Sequence, residues 1–327
     1  MLSFGWSGSR RGAAAADLNW KKRRKIPNWS TTITFATQSG MLRLDCISSM
    51  ITYRLLSSAD FTSLYECFLE AFSDYQVDMR MSQEQFQQRA IRDGVRLEIS
   101  AGAFDGNRMV GFYMNASGMW LEKLTAYDVG TGVVPAYRRQ GVAKELFAFM
   151  VPQLKEASFS QYLLEVLTAN EPAVSLYLRL GFSETRRLGV FRRSEPVKLS
   201  EAAVVVRHVE QPDWELFKSF WDGYPSWQNS IEAVERTDRV IICAYVDDRC
   251  VGYGIAFRPN ASLMQLAVAT TYRRKGIGSK ILSALQDEIR EGLKVNNIDE
   301  QLKGTMAFFQ ANEFKLVLEQ YEMVKTL

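Results

Sequence analysis

Two regimes of patterning divide the chain near Met50. Residues 1–49 hold no sustained apolar period, and their acids are Asp17 and Asp45 against the basic run Lys21 to Lys25, which predicts a disordered leader or an extension foreign to the native protein. From Ile51 to Leu55 the residues read as a strand. Asp60 to Phe72 cycles with a helical period behind Ser58 or Asp60 as cap, and a second helix starts near Ser82. Glu98–Phe104 and Met109–Asn115 flank the turn Asp105 to Arg108, the pattern of a β-hairpin. A strand ending at Val134, a helix over Gly141–Glu156, a strand over Tyr162–Leu167 and a helix opened by Pro172 follow, and a strand pair closes the unit near Glu195.

The second half repeats this order. It reads as strand 204–210, helical region 213–236, strands 239–246, 250–257 and 262–269, and helix 277–291. YRRQGVA at 137–143 is answered by YRRKGIG at 272–278, and MVGFY at 109–113 by CVGYG at 250–254. Either match could arise by chance. Both in the same order predict an internal duplication, with residues 50–195 as one domain, 201–327 as the other, and the linker at Ser194–Ser200. The fold class is α/β (α+β): in each domain a mixed, mostly antiparallel, twisted sheet flanked by helices.

A length of 327 residues suits two such domains, and 47% hydrophobic with 24% charged residues is ordinary for a folded protein. The net charge of +3 shrinks once the basic leader is set aside, so no whole-molecule field for nucleic acid or an anionic membrane remains. The four cysteines, Cys46, Cys67, Cys243 and Cys250, show no metal-ligand spacing and point to a reducing, cytoplasmic setting. His208 is the single histidine, which excludes a histidine-rich metal site or a Ser/His/Asp triad in each half; its alternating context makes it a surface strand residue. No metal and no membrane span are expected.

The chemistry concentrates in Arg138, Arg139, Gln140, Gly141, Val142 and Ala143, between a strand and a helix start. The first N–H groups of a helix lack internal partners and carry the positive end of its dipole, so they suit an anion, with about 0.3–1 kcal/mol from the dipole. Gly141 and the small Ala143 let a phosphate approach the main chain, and two arginines stand beside it. Arg273, Arg274, Gly276 and Gly278 repeat the arrangement. A plain basic helix start would look the same at one site; its doubling argues otherwise.

The spacing R-x-x-G-x-A/G after an apolar strand resembles the acyl-CoA pyrophosphate loop of the GCN5-related N-acetyltransferase (GNAT) superfamily. The resemblance continues through AYDVGTGVVPAYRRQGVA, YLLEVLTAN and AVSLYLRLGF, in the family's order. It implies acetyl-CoA as acyl donor, transfer to a primary amine of a small molecule or peptide, and no nucleic-acid partner. It also implies that the backbone of Thr131, Gly132 and Val133 pairs with the pantetheine arm and polarises the thioester, that Asn170 meets the cofactor, and that Tyr177 is the acid for the departing thiolate. Backbone donors stabilise the oxyanion more in the transition state than in the ground state, and a tyrosine of pKa about 10 stays protonated at neutral pH. Asp128 and Glu165, on the two strands beside the thioester, are the acceptors considered for the amine's proton. Phe72, Asp74 and Tyr75 occupy the segment that lines the acceptor site in this superfamily. Packing and capping roles are the plain alternatives for Tyr177 and Asn170.

The second copy departs from this pattern, because MAFFQANEF at 306–314 puts Phe309 where Tyr177 stood. Coenzyme binding there and a structural, substrate-shaping role both stay open. A non-catalytic acyl-CoA-binding regulator is the alternative to an enzyme. An aminoacyl-tRNA-dependent transferase is disfavoured by the two intact loops and the absence of a basic helical arm.

Overall fold

The structure is a computed structural model and describes residues 50–193, 195, 200–290 and 292–327; the expected leader lies outside that range. In the first half run β1 (Thr52–Leu55), α1 (Phe61–Ala71), α2 (Gln83–Asp93), β2 (Ala101–Asp105), β3 (Arg108–Trp120), β4 (Lys123–Val133), α3 (Val142–Glu156), β5 (Gln161–Leu167), α4 (Glu171–Arg179) and β6 (Ser183–Arg192). The second half follows with β7 (Val205–His208), α5 (Trp214–Lys218), α6 (Ile231–Glu235), β8 (Arg239–Val246), β9 (Arg249–Phe257), β10 (Ser262–Val268), α7 (Ile277–Ile289), β11 (Lys294–Asp299), α8 (Lys303–Ala311) and β12 (Lys315–Thr326).

Local chemistry sets these limits. Ser82 opens α2 with a capping box, its hydroxyl accepting from the Gln85 N–H at 3.2 Å while the Gln85 side chain accepts from the Ser82 N–H at 2.9 Å. Leu97–Ile99 form a 3-10 turn, so the hairpin begins at Ala101 rather than Glu98. Its second strand, β3, runs past Asn115 to Trp120 because the next turn is made by Leu121 and Glu122 at φ of 48° and 63°. Such a turn normally announces itself with Asn or Gly, and here it does not. The helical region expected over 213–236 breaks into α5 and α6, capped by Asp213 and Ser230, around a non-helical stretch containing Gly223 and Pro225.

All twelve strands form one sheet, in the order β1-β2-β3-β4-β5-β12-β6-β11-β10-β9-β8-β7. The order is palindromic if each strand of the first lobe is matched with its counterpart in the second. The strand pair expected near Glu195 is therefore corrected. β6 has no local partner and lies between β11 and β12, pairing antiparallel with β12 from Ser183↔Val324 to Arg192↔Lys315. Each lobe places its last strand inside the other's order, a long-range exchange that sequence neighbours cannot report.

Helices cover both faces of β1–β5. On one face Leu64, Phe68 and Phe86 of α1 and α2 pack with Phe112 and Tyr127; on the other Leu146, Phe147 and Met150 of α3 pack with Tyr113 and Tyr162. Each fully buried side chain of this size contributes about 1.5–3 kcal/mol. Trp227 of the second lobe enters the first of these cores, stacking on Tyr127 with centroids 4.8 Å apart. Among the described residues no helix is long and apolar enough to cross a membrane, and His208 ends an edge strand, exposed.

Candidate functional site

A fork in the sheet organises the first lobe. β4 and β5 pair in parallel only from Thr125↔Gln161 to Asp128↔Leu164, while β4 stays paired with β3 as far as Val133. Val129 is the extra residue of a bulge between Met114 and Asn115, which bends β4 away from β5. The Val134 N–H donates to Val110 O on β3 at 2.9 Å. Donors alternate along a strand, so the N–H groups of Thr131 and Val133 face the opened edge, and Gly132 faces β3.

At the end of this edge Arg139 and Gly141 take left-handed conformations, φ 61° and 85°, and turn the chain into α3. The first backbone bond into the helix is Glu145 N–H to Gly141 O at 3.0 Å, which leaves the N–H groups of Val142 and Ala143 directed out of the helix start. A Cβ at Gly141 would meet only Glu145 Oε1, at 3.7 Å, so the space above the cradle is open. Arg138 turns away from it. Its Nε donates to Val133 O at 3.0 Å, its Nη2 to Ala71 O at 2.7 Å, and its Nη1 to Asp74 at 2.6 Å. The guanidinium thus latches the loop to the end of α1, and Asp74, expected on the acceptor side, is its counter-ion. Arg139 and Gln140 are exposed, with Gln140 Nε2 on Ala136 O at 2.9 Å.

Inside the fork, on the α3 face, the Tyr177 hydroxyl donates to Asp128 Oδ2 at 3.3 Å and the Thr131 hydroxyl to the same oxygen at 2.6 Å. Burial pushes Asp128 up to about 6, opposed by its hydrogen bonds to Thr131, Gly130 and Tyr177. Burial, then the Asp128 charge, holds Tyr177 well above its ordinary range, so it keeps its proton. Asn170 caps α4, its Oδ1 accepting from the Ala173 N–H at 3.3 Å, and its side chain is bonded to Tyr75. Tyr75 is raised by burial against that bond. Phe72 packs on Phe68 and Phe112. An open cleft of about 270 Å³ lies beside the end of β5, lined by Gln76, Leu167–Ala169 and residues 316–319 of β12.

Glu165, the first residue of β5 past the last β4 pair, points to the opposite face. Its Oε2 accepts from Asn297 Nδ2 at 2.6 Å, Tyr127 Oη at 3.0 Å and Gln228 Nε2 at 3.1 Å. Its Oε1 is inaccessible to solvent and has no partner among the described residues. Burial, then the charge of Glu322, pushes Glu165 up to about 8. Sequence reasoning named Glu165 but missed Tyr127, Gln228 and Asn297, the last two more than 60 residues away and in the other lobe.

The second lobe repeats the frame without the polar chemistry. β10 and β11 pair only at Ser262↔Lys294 and Leu263↔Val295, Met264 occupies the bulge, and Arg274 and Gly276 stand at φ 62° and 77°. Arg273 repeats the latch on Val268 O, Phe220 O and Asp222 at 2.8, 3.0 and 2.7 Å. The register aligns Asp128 with Leu263, Thr131 with Leu266 and Asn115 with Ala256, and Phe309 packs on Phe191 in the place of Tyr177. A Cβ at Gly276 would meet Ser200 Oγ at 3.0 Å and Ala202 at 3.3 Å, and one at Gly278 the Phe308 ring at 2.8 Å. Among the described residues no cluster of His, Cys, Asp and Glu is arranged to hold a metal.

The sequence pattern of the Acetyltransferase (GNAT) family matches residues 61–182 and again 205–314. Among curated relatives, N-alpha-acetyltransferase MAK3 of Arabidopsis thaliana is 30% identical over 86 residues, 26% of this chain and 45% of that protein. The [ribosomal protein bS18]-alanine N-acetyltransferase of Escherichia coli is 33% identical over 64 residues, 20% of this chain and 42% of that protein. The chain thus spans less than half the length of these relatives. Among solved structures, a tandem GNAT protein from the clavulanic acid biosynthesis pathway superposes with a TM-score of 0.64 at 15% identity, covering 85% of this chain and 98% of that one. A putative acetyltransferase from Pyrococcus horikoshii gives 0.62 at 17% identity over 85% and 89%. With its motif matched twice along the chain and its fold shared with a tandem member, the protein belongs to the Acetyltransferase (GNAT) family, with two GNAT-like regions in one polypeptide.

Proposed function

We propose that this chain is an acetyl-CoA-dependent N-acetyltransferase whose first lobe, residues 50–195, carries the chemistry, with a primary amine of a small molecule or peptide as acceptor. The observation that carries this reading is the opened β4 edge, ending at an uncovered helix start, with a protonated Tyr177 beside it. The open space at Gly141 and the outward N–H groups of α3 fit a diphosphate. Bound acetyl-CoA would supply the activated acyl group. The chain's own part is then to bind the diphosphate at residues 139–143, to receive the oxyanion on the N–H of Thr131 or Val133, and to protonate the leaving sulfur from Tyr177. Asp128 already accepts from Tyr177 and Thr131, so its role in this reading is to hold the acid.

A neutral amine is required for attack, and an ordinary alkyl amine is mostly protonated at pH 7. Each carboxylate keeps one buried oxygen without a partner among the described residues, but Glu165 suits that proton better than Asp128, since it faces the other side of the fork and does not hold Tyr177. Both curated relatives are named for N-acetylation, one at a ribosomal-protein alanine, which favours peptide amino termini in the acceptor panel. The test mixes the purified chain with acetyl-CoA and such a panel, including short alanine-initiated peptides and small polyamines, and follows free thiol. Acceptor-dependent thiol release supports the reading. Coenzyme binding without turnover on any amine would favour a regulatory acyl-CoA sensor, and neither binding nor turnover would reject both.

A further inference from the structure

Resting on Glu165 as the acceptor-side base, we propose that the second lobe is part of the first lobe's active site: Gln228 and Asn297 are positioning residues that fix Glu165 through Oε2 and reserve Oε1 for the acceptor amine. Three donors converge on one carboxylate oxygen, two of them from the other lobe, at 2.6 Å from Asn297 and 3.1 Å from Gln228. The other oxygen is buried and has no partner among the described residues, an arrangement that is unfavourable unless a ligand or water completes it. Neither positioning residue is loosely held. Gln228 also donates to the Tyr127 hydroxyl at 3.0 Å and follows Trp227, which is stacked on the same Tyr127 ring. Asn297 sits at φ 58°, a conformation asparagine tolerates better than most residues, and its Oδ1 accepts from Gln320 Nε2 at 2.7 Å.

The charged groups around this carboxyl set what its proton does. Glu322 on β12 and Asp93 on α2 raise its affinity for a proton, and Arg186 on β6 lowers it. Arg186 is in turn divided between Glu322 at 2.5 Å and Asp299 on β11 at 3.8 Å, and Arg92 on α2 feels the Glu165 charge. Arg186 and the Tyr127 hydroxyl favour the ionised form, and the two amide donors from the second lobe act in the same direction. Each amide donates a hydrogen bond that is strongest to a carboxylate.

The test uses the full chain with Gln228→Met, which deletes one donor, and Asn297→Gly, which deletes the other while keeping the positive φ. Two readouts are taken: kcat/KM against pH for acetyl-CoA with an alanine-initiated peptide as probe, and thermal unfolding against pH. A carboxyl whose folded pKa is raised contributes stability at low pH that is lost as pH rises from about 4.5 through about 8. Both variants should carry that falling limb, and the rise of kcat/KM, upward by about one pH unit. This means roughly tenfold less activity at neutral pH, recovered at high pH. A loss that persists at every pH, or unshifted midpoints in both variants, overturns the inference. Glu165→Gln separates the two ideas: if it leaves turnover unchanged, Glu165 is not the base, whereas the pH limb of unfolding still reports whether the second lobe holds its charge.

Discussion

The two cradles of this molecule share a backbone and differ in everything that surrounds it. Arg139 and Gly141 at φ 61° and 85° are matched by Arg274 and Gly276 at 62° and 77°, and each loop is latched by an arginine to two carbonyls and one aspartate. Around the first, the helix start is uncovered and the fork behind it carries Asp128, Thr131 and Tyr177. Around the second, Ser200, Ala202 and Phe308 crowd the glycines, and Leu263, Leu266 and Phe309 replace the polar groups. The same turn thus stands open beside polar groups in one lobe and under close, apolar packing in the other, so the presence of the loop alone does not identify a working site.

The hydroxyl at the end of the fork should give the largest contrast. Replacing Tyr177 by Phe removes the donor to the thiolate, and kcat should fall by about 10²–10⁴-fold, the usual contribution of a general acid. Phe309→Tyr in the second lobe should restore nothing, because the new hydroxyl would enter an apolar core against Phe191 and Phe314, and it should lower the melting temperature instead. Stopped assays for free thiol, with unfolding curves as control, decide it. Equal activity for Tyr177→Phe and the parent chain would remove Tyr177 from the mechanism.

That contrast was partly legible in the residues. The duplicated YRR-x-G loops, the order of strands and helices around them, and the exchange of Tyr177 for Phe309 are local features, and a period or a spacing exposes them. The role of Arg138 was not: an arginine next to a glycine-rich helix start looks like a phosphate ligand until Asp74 and Ala71, more than 60 residues away, claim its guanidinium. The same blindness hid the exchange of β6 and β12 and the grip of Gln228 and Asn297 on Glu165. Each is a contact between residues whose sequence separation no periodicity encodes, and the polar residues involved look in isolation like ordinary surface amides.

A second contrast lies in the glycines themselves. Gly141→Val and Gly276→Val impose the same strain, since both positions require positive φ, at roughly 1–2 kcal/mol each. Only the first adds bulk where a diphosphate would approach, so calorimetry should show acetyl-CoA affinity reduced about tenfold or more in Gly141→Val and unchanged in Gly276→Val. Stability should order the other way, because the second valine also meets Ser200 and Ala202. Comparable loss of affinity in both variants would mean that the second cradle takes up coenzyme as well.

The smallest effect concerns the latches. Arg138 and Arg273 are half-exposed, and each makes an ion pair with a more exposed aspartate, so screening leaves those pairs at about 0–1 kcal/mol. Most of the stabilisation comes from the two carbonyls each guanidinium holds, and that is the same in both lobes. Arg138→Ala and Arg273→Ala should therefore lower stability by similar amounts, roughly 1 kcal/mol. Their effects on binding should differ, because Val133 O, gripped by Arg138 Nε, belongs to the edge that turns into the open cradle. Loosening it should raise KM for acetyl-CoA by about threefold to tenfold in Arg138→Ala, through lost ordering of the N–H donors, and leave KM unaltered in Arg273→Ala. Arg138→Lys discriminates further: a phosphate ligand would be largely rescued by the retained charge, whereas a latch that needs a planar fork to reach two carbonyls and a carboxylate at once would not.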